Sequence, residues 1–390
     1  MRRLKSSFAP KNNPMNALDF KKSAIEKSKR VVIKIGSAVL THHSEILDIN
    51  LIESITSDIS EIINSGREVI IVTSGAVAAG CRKLGLARIP RRIPEKQAAA
   101  AAGQSTLIRS YEKAFEKKGK KAAQLLLTSD GLSDRTRYLN ARNTVFSLLQ
   151  HGVIPVINEN DSVAVDEMRF GDNDNLSAMV TGLSDSDLLI ILTDIDGLYD
   201  KDPRKFSDAQ LIHTVTDFDA QTRGASRTGS DVGTGGMITK IEAARKAASF
   251  GAPTVIANGG KKGILIDIVN AGDHGTTFLP GEDRLRGRKR WIAYNLKLNG
   301  KIIVDSGAMK AINNGKSLLP SGIIKVEGGF DFGDLVSLLE ESGKEFARGL
   351  VQYKSDEIDA MKGIKTSEIE SYLGKKDYDE VIHRDDLVLL

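Results

Sequence analysis

The sequence predicts an α/β fold, a mainly parallel sheet sandwiched by helices, joined to a small β-rich domain. Three observations carry that expectation. Short β-branched apolar runs alternate with stretches of helical periodicity from Arg30 onward. Polar and glycine-rich motifs fall at the ends of those runs, where open α/β sheets bind ligands. After Pro280 the pattern changes, first to the charged segment GEDRLRGRKRW and then to short β-like pieces.

Taken in order, VVIKIG is a buried strand ending at glycine, and ILDINLIESITSDISEIINSG carries apolar residues at helical spacing. REVIIVT, AAQLLL, VIPVIN, DLLIILT and PTVIAN read as further strands, with QAAAAAGQSTLIRSYEKAFEKKG and TKIEAARKAASFG as helices between them. The predicted organisation is a disordered basic leader over residues 1–29, a catalytic α/β domain over 30–280, a linker over 281–294 and a β-rich domain over 295–390. KIIVD, GIIKVEG, DLVSLLEE and VIHRDDLVLL supply the β-like pieces of the last region. In the linker, Arg286, Arg288, Lys289 and Arg290 read as solvated side chains beside Trp291, which covers the junction.

At 390 residues the chain has material for two cores, and 41% hydrophobic with 27% charged residues fits a globular protein in water. No apolar run approaches the ~18 residues of a membrane span. The lone cysteine, Cys81, excludes an intrachain disulfide framework and points to a reducing, cytoplasmic setting. The net charge of +4 is unevenly spread. Residues 1–30 carry nine basic side chains against Asp19 and Glu26, whereas residues 295–390 carry 13 basic and 17 acidic ones. The leader lacks the apolar core of a secretory signal, so it reads as an overhang, or as sequence upstream of a true start at Met15.

Three segments have residue types suited to phosphoryl chemistry, which needs cations and backbone amides around the phosphates. Lys34, with Gly36 and Ser37 after it, ends the first strand, where a snorkelling edge lysine is the competing reading. In GTGGMITK, Gly233, Gly235 and Gly236 allow close backbone approach to an anion and Lys240 opens a helix, although a flexible turn also fits. The spacing is neither a Walker P-loop nor a complete GxGxxG, because Ile238 occupies the last glycine position. The stretch from Asn158 to Ala178 suits an amino-group site, a magnesium site or a solvated loop alike. Asp331-Phe332-Gly333 and His383-Arg384-Asp385 mimic protein-kinase signatures in reversed order, and read as a turn and a strand edge. Gly315-Lys316-Ser317 lacks the upstream glycine of a P-loop, and the six histidines show no metal-ligand spacing.

In this order, VVIKIGSAVL, IVTSGAVAAG, SDRTRYLNARNT, PVINENDSVA, GDNDNLSA, LTDIDGLYDKDPR and GTGGMITKIEAA resemble the amino-acid-kinase family over residues 30–280, and most closely its glutamate-phosphorylating branch. RKRWI, SLLPSGI and VIHRDDL resemble a PUA domain. The resemblance implies the amino-acid-kinase fold and transfer from ATP, with Mg2+, to the side-chain carboxylate of L-glutamate, the first step of proline synthesis. It implies catalytic roles for Lys34, Lys240 and Asp174, with Asp174 between the two ammonium groups. It implies ATP binding by Lys34, Thr193, Asp194 and the run Thr234, Gly235, Gly236, Met237, Ile238, Thr239 and Lys240. Ser74, Asp161 and Asn173 would hold glutamate, and no residue is assigned to a protein metal site. The family also implies a homo-oligomer, feedback inhibition by proline and handover of the acyl phosphate to glutamyl-phosphate reductase. One departure stands out: Ala38 follows Ser37 where relatives commonly carry a second hydroxyl.

Aspartate, N-acetylglutamate, carbamate or a nucleotide are the alternative acceptors on the same fold, and NENDS with GDNDN favours glutamate over them. RNA binding, the different class that a PUA domain suggests, is disfavoured by the acidic balance of the tail.

Overall fold

The computed structural model describes residues 17–41, 47–163, 172–218, 236–280 and 298–390 apart from 375 and 377. The predicted linker, Trp291, Thr234 and Gly235 lie outside the described residues.

The first domain runs α1 (Ala17–Glu26), β1 (Arg30–Ile35), α2 (Ser37–Thr41), α3 (Ile49–Asn64), β2 (Glu68–Thr73), α4 (Ala76–Lys83), α5 (Ile93–Glu116) and β3 (Lys121–Leu127). It continues through α6 (Arg135–Gln150), β4 (Val153–Glu159), α7 (Asp172–Leu183), β5 (Leu188–Thr193), β6 (Thr214–Val215), α8 (Met237–Ser249), β7 (Thr254–Asn258), α9 (Ile264–Val269) and β8 (Thr276–Phe278). Among the described residues these strands form one sheet in the order β3-β4-β2-β1-β5-β7-β8-β6. Every pairing is parallel except β7 with β8. The mainly parallel sheet expected from the sequence is therefore present.

Strand β1 lies between β2 and β5: the chain passes from β1 to β2 on one side of it and later crosses from β4 to β5 on the other. That divergence opens a crevice at its carboxyl end. Two cores flank the sheet. Val31, Ile33 and Ile35 face one, with α3, α5 and α9. Val32 faces the other, with Leu176 and Val180 of α7 and Ile241 of α8. Because strand side chains alternate between faces, Lys34 falls on the Val32 side, beneath α7 and α8.

Helices α4 and α5 cross through glycines. A Cβ on Gly80 would lie 1.6 Å from the Ala99 carbonyl oxygen, and one on Gly103 would lie 2.0 Å from that of Ala76. Backbone contact of this kind is open only to glycine.

One expectation is corrected. In place of a leader disordered to residue 29, Ala17–Glu26 is helical and docks on the domain. Ile25 is buried in the core and Lys21, also buried, reaches Asp273 at 2.9 Å. The physical reason is the i,i+4 spacing of those two residues, which places an apolar side chain and a lysine stem on one helical face.

The second domain contains β9 (Leu298–Val304), α10 (Ser306–Asn313), β10 (Ile323–Glu327), β11 (Leu335–Leu339), β12 (Glu345–Leu350), α11 (Ser355–Met361), α12 (Ile369–Leu373) and β13 (Leu387–Leu389). Its sheet order is β10-β9-β11-β12-β13, around a separate core that includes Ile302, Val336, Tyr353 and Ile382. The protein-kinase look-alikes are local turns: Gly333 takes a left-handed φ of 84°, and Arg384–Asp386 is a single 3-10 turn before β13. The two domains meet at α6. Asn143 Nδ2 donates to the Tyr378 hydroxyl at 2.7 Å, and the Arg142 guanidinium lies 4.0 Å from Asp386.

The glycine crossing gives a direct test by urea denaturation. Gly80→Ala should cost about 1–3 kcal/mol or more, through overpacking against backbone. Gly329→Ala, where a Cβ would meet nothing within 4 Å and the φ is not left-handed, should stay near wild type.

Candidate active site

At the carboxyl end of β1, Lys34 is followed by Gly36, whose N–H donates to the Leu192 carbonyl of β5 at 3.2 Å. A Cβ there would come within 3.3 Å of that carbonyl oxygen and 3.5 Å of Lys34 Nζ. Glycine thus keeps the turn tight against β5 and leaves room for the ammonium group.

Lys34 Nζ is 2.6 Å from Asp174 Oδ1, and Lys240 Nζ is 3.1 Å from Asp174 Oδ2. Thr239 Oγ1 also donates to Oδ2, at 2.8 Å. All three charged groups are buried, Lys34 at 6% exposure, Asp174 at 1% and Lys240 at 8%. Burial alone would push the Asp174 carboxyl upward, but Lys34 and then Lys240 outweigh it and hold it below the ordinary carboxylate value. Burial lowers the Lys34 ammonium below its ordinary value; Asp174 opposes that shift and Lys240 reinforces it.

Helix α8 begins at Gly236, which caps it without any side-chain hydrogen bond. Gly236 brings no side chain to the first amides, at the end that carries Thr239 and Lys240, an arrangement suited to an anion. Met237 packs on the core and Ile238 is exposed at 40%. Thr193 ends β5, where its hydroxyl donates to Asp194 at 3.0 Å and its carbonyl accepts from the Gly259 N–H at 2.9 Å. Beside them Asp196 accepts from Asn258 at 3.1 Å and pairs with Lys261 at 2.8 Å. This polar group at the ends of β5 and β7 is only partly legible in the sequence, as the strand-end motif LTDIDG.

A second polar set adjoins the clamp. Asn173 Nδ2 donates to Ser74 Oγ at 2.9 Å and to Asn158 Oδ1 at 3.1 Å. Asn158 Nδ2 in turn donates to Gln104 Oε1 of α5 at 2.8 Å. Gly75, with φ 103°, turns the chain from β2 into α4 and so presents Ser74 at the strand end. The structure thus joins two of the three acid-site candidates, Ser74 and Asn173, through direct contact. Asp161 is half-buried in the turn after β4. Sequence reasoning does not single out Asn158 and Gln104. Asn158 has a signal, its place in NENDS at a strand end, whereas Gln104 is embedded in a helical run.

The geometry provides a cationic clamp at the sheet's switch point, a helix start beside it and an adjacent polar cluster. Such an arrangement can draw a phosphoryl group toward a neighbouring acceptor.

The family profiles agree with this reading of the fold. The profile of the amino acid kinase family matches residues 29–258, and that of the PUA domain matches residues 300–373. Glutamate 5-kinase of Caldanaerobacter subterraneus subsp. tengcongensis is 53% identical over 363 residues, covering 93% of this chain and 98% of that protein. Glutamate 5-kinase of Geobacter sulfurreducens is 53% identical over 368 residues, covering 94% and 99%. Among solved structures, a UMP kinase from Bacillus anthracis aligns with a TM-score of 0.47 at 17% identity, over 65% of this chain and 96% of that one.

Asp174→Asn leaves two buried ammonium groups around a neutral amide, so chemical denaturation at neutral pH should show a loss of about 3 kcal/mol. A depressed folded-state pKa contributes stability above the unfolded value and loses it as pH falls through the folded one. The gap between wild type and variant should therefore narrow below pH 3.8, the ordinary value for this group.

Proposed function

The chain belongs to the amino acid kinase family, and from that premise we propose that it transfers the γ-phosphoryl group of ATP to the side-chain carboxylate of L-glutamate. The products are ADP and L-glutamyl 5-phosphate, the first step of proline synthesis. The observation that carries the reading is the buried Lys34–Asp174–Lys240 clamp, one helix position from Asn173 and its contact with Ser74.

A carboxylate oxygen of the acid attacks the γ-phosphorus while the bond to the β–γ bridging oxygen breaks, and ADP leaves with that electron pair. The nucleophile needs no general base, because a glutamate side chain is already ionised near neutral pH. Asp174 accordingly works by position and charge. It holds Lys34 and Lys240 where negative charge spreads over the transferring oxygens and the departing ADP. The start of α8, from Gly236 to Lys240 and with Thr234 and Gly235 before it, receives the phosphates. Thr193 and Asp194 take the nucleoside side.

Magnesium arrives with the nucleotide. Both oxygens of Asp174 already face ammonium or hydroxyl groups, and among the described residues no cluster of three or more His, Cys, Asp or Glu surrounds a metal position. Its chemistry would be to offset charge on the phosphate oxygens. On the acid side, Ser74 and Asn173 offer a hydroxyl and an amide to the substrate, while Asp161 supplies an anion for its ammonium group. Ser37 serves the phosphate loop without the second hydroxyl that Ala38 replaces.

This reading carries with it a homo-oligomer, feedback inhibition by proline, handover of the labile acyl phosphate to a reductase and a cytoplasmic setting. No described helix is long and apolar enough to cross a membrane. The net acidic charge of residues 295–390 continues to argue against RNA as a partner of the second domain.

Trapping the product with hydroxylamine tests the assignment directly. Glutamate, ATP and the protein should give the hydroxamate; turnover of another acid with none from glutamate would overturn the substrate. Steady-state kinetics then separate the roles. Lys240→Ala should lower kcat by about 10² or more. Asp161→Ala should chiefly raise the KM for glutamate, and equal mild effects from both would contradict these two roles.

A further inference from the structure

We infer that Gln104 is a positioning residue for the acid substrate, setting the polarity of the Asn158–Asn173–Ser74 hydrogen-bond chain. The inference rests on the reading that this chain borders the acid site.

An amide side chain offers two N–H donors at one end and a carbonyl acceptor at the other, so a row of amides has a direction. Here the direction begins at Gln104. Its Oε1 accepts from Asn158 Nδ2 at 2.8 Å, which turns the Asn158 carbonyl toward Asn173. Asn173 Nδ2 then directs its two protons to Asn158 and to Ser74 Oγ. Two groups remain for a ligand. Among the described residues Asn173 Oδ1 is buried and has no hydrogen-bond partner, and the Ser74 hydroxyl, having accepted from Asn173, retains its own proton to donate.

An amino acid with two carboxylates presents one ammonium donor and several carboxylate acceptors. The orphaned carbonyl suits the first and the serine hydroxyl the second. Reversal of the chain would aim Asn173 N–H groups at the ammonium and consume the Ser74 proton on Asn173 Oδ1. Gln104 is placed for this task by the glycine crossing. Gly103, one residue before it, lets the α5 backbone lie against α4, where any Cβ would fall 2.0 Å from a carbonyl oxygen. Asn158 is itself 2% exposed, so solvent cannot readily substitute for the amide at this position.

The test is steady-state kinetics on the full chain with a panel of acids and ATP. Replacing Gln104 by Leu removes the acceptor, and Gln104→Met serves where Leu disturbs folding. Either variant should raise the KM for glutamate about tenfold, the loss expected of one buried hydrogen bond. The KM for ATP and kcat should stay within about twofold of wild type, since neither lysine nor Asp174 loses a contact. Preference for glutamate over glutarate, which lacks the ammonium group, should fall by a similar factor. In an Asn158→Ala background the Gln104 substitution should add nothing, because the connection it works through is gone.

Parallel changes in both KM values and kcat, full additivity with Asn158→Ala, or an unaltered glutamate KM would each overturn the inference. The wild-type protein reads out the premise separately. If it phosphorylates another acid of the panel, the glutamate assignment fails while the Gln104 effect is read on that acid. If it phosphorylates none, both fall.

Discussion

The site depends on one buried carboxylate. Two lysine ammonium groups beneath a helix layer would repel one another and resist desolvation, and Asp174 is what allows them to share the space. Thr239 completes the arrangement by donating to the same oxygen that Lys240 approaches. The three charged groups still carry a formal surplus of one positive charge. On the proposed reading, that surplus is useful, because a transferring phosphoryl group brings negative charge into a poorly solvated place.

The clamp draws on residues far apart in the chain, and the sheet order is what gathers them. Lys34 comes from β1, Asp174 from α7 and Lys240 from α8. Strand alternation puts Lys34 on the face that α7 and α8 cover, and the crevice beside β1 leaves its terminal turn accessible. Neither feature belongs to Lys34 by itself. A lysine at the end of a strand in another position of the sheet would be an ordinary edge residue.

This explains what is legible in the sequence and what is not. The buried strands are legible because parallel strands covered on both faces read as continuous apolar runs. Lys34, Asp174 and Lys240 become a set only through their family resemblance, since their separations of tens of residues carry no geometric signal. Gln104 is silent because its surroundings in α5 are alanine-rich and its partner Asn158 lies far along the chain, on strand β4. The helix Ala17–Glu26 is hidden by the basic composition of the leader around it, although Lys21 and Ile25 share one face. In the tail, β12 and the short helices α10, α11 and α12 escape because segments of five to eight residues hold too few turns for periodicity to speak.

Helix α7 connects these parts mechanically. Neighbouring helical residues point about 100° apart. Asn173 and Asp174 can therefore serve the acid-side hydrogen bonds and the lysine clamp from consecutive positions. On the proposed reading, the separation between the two subsites is then fixed by a single peptide unit rather than by a flexible loop, which suits an in-line transfer. The opposite end of α7 is held as firmly. Arg142 donates to the Leu183 carbonyl at 2.8 Å, pairs with Asp185 at 2.9 Å and stacks on Phe146 at 4.6 Å. Asp185 takes a left-handed φ of 52°, an unfavourable backbone state for a non-glycine residue that this ion pair helps to hold. The same guanidinium lies 4.0 Å from Asp386 in the second domain. The helix that carries Asn173 and Asp174 is thus anchored, at its far end, by a residue that also lies beside the second domain.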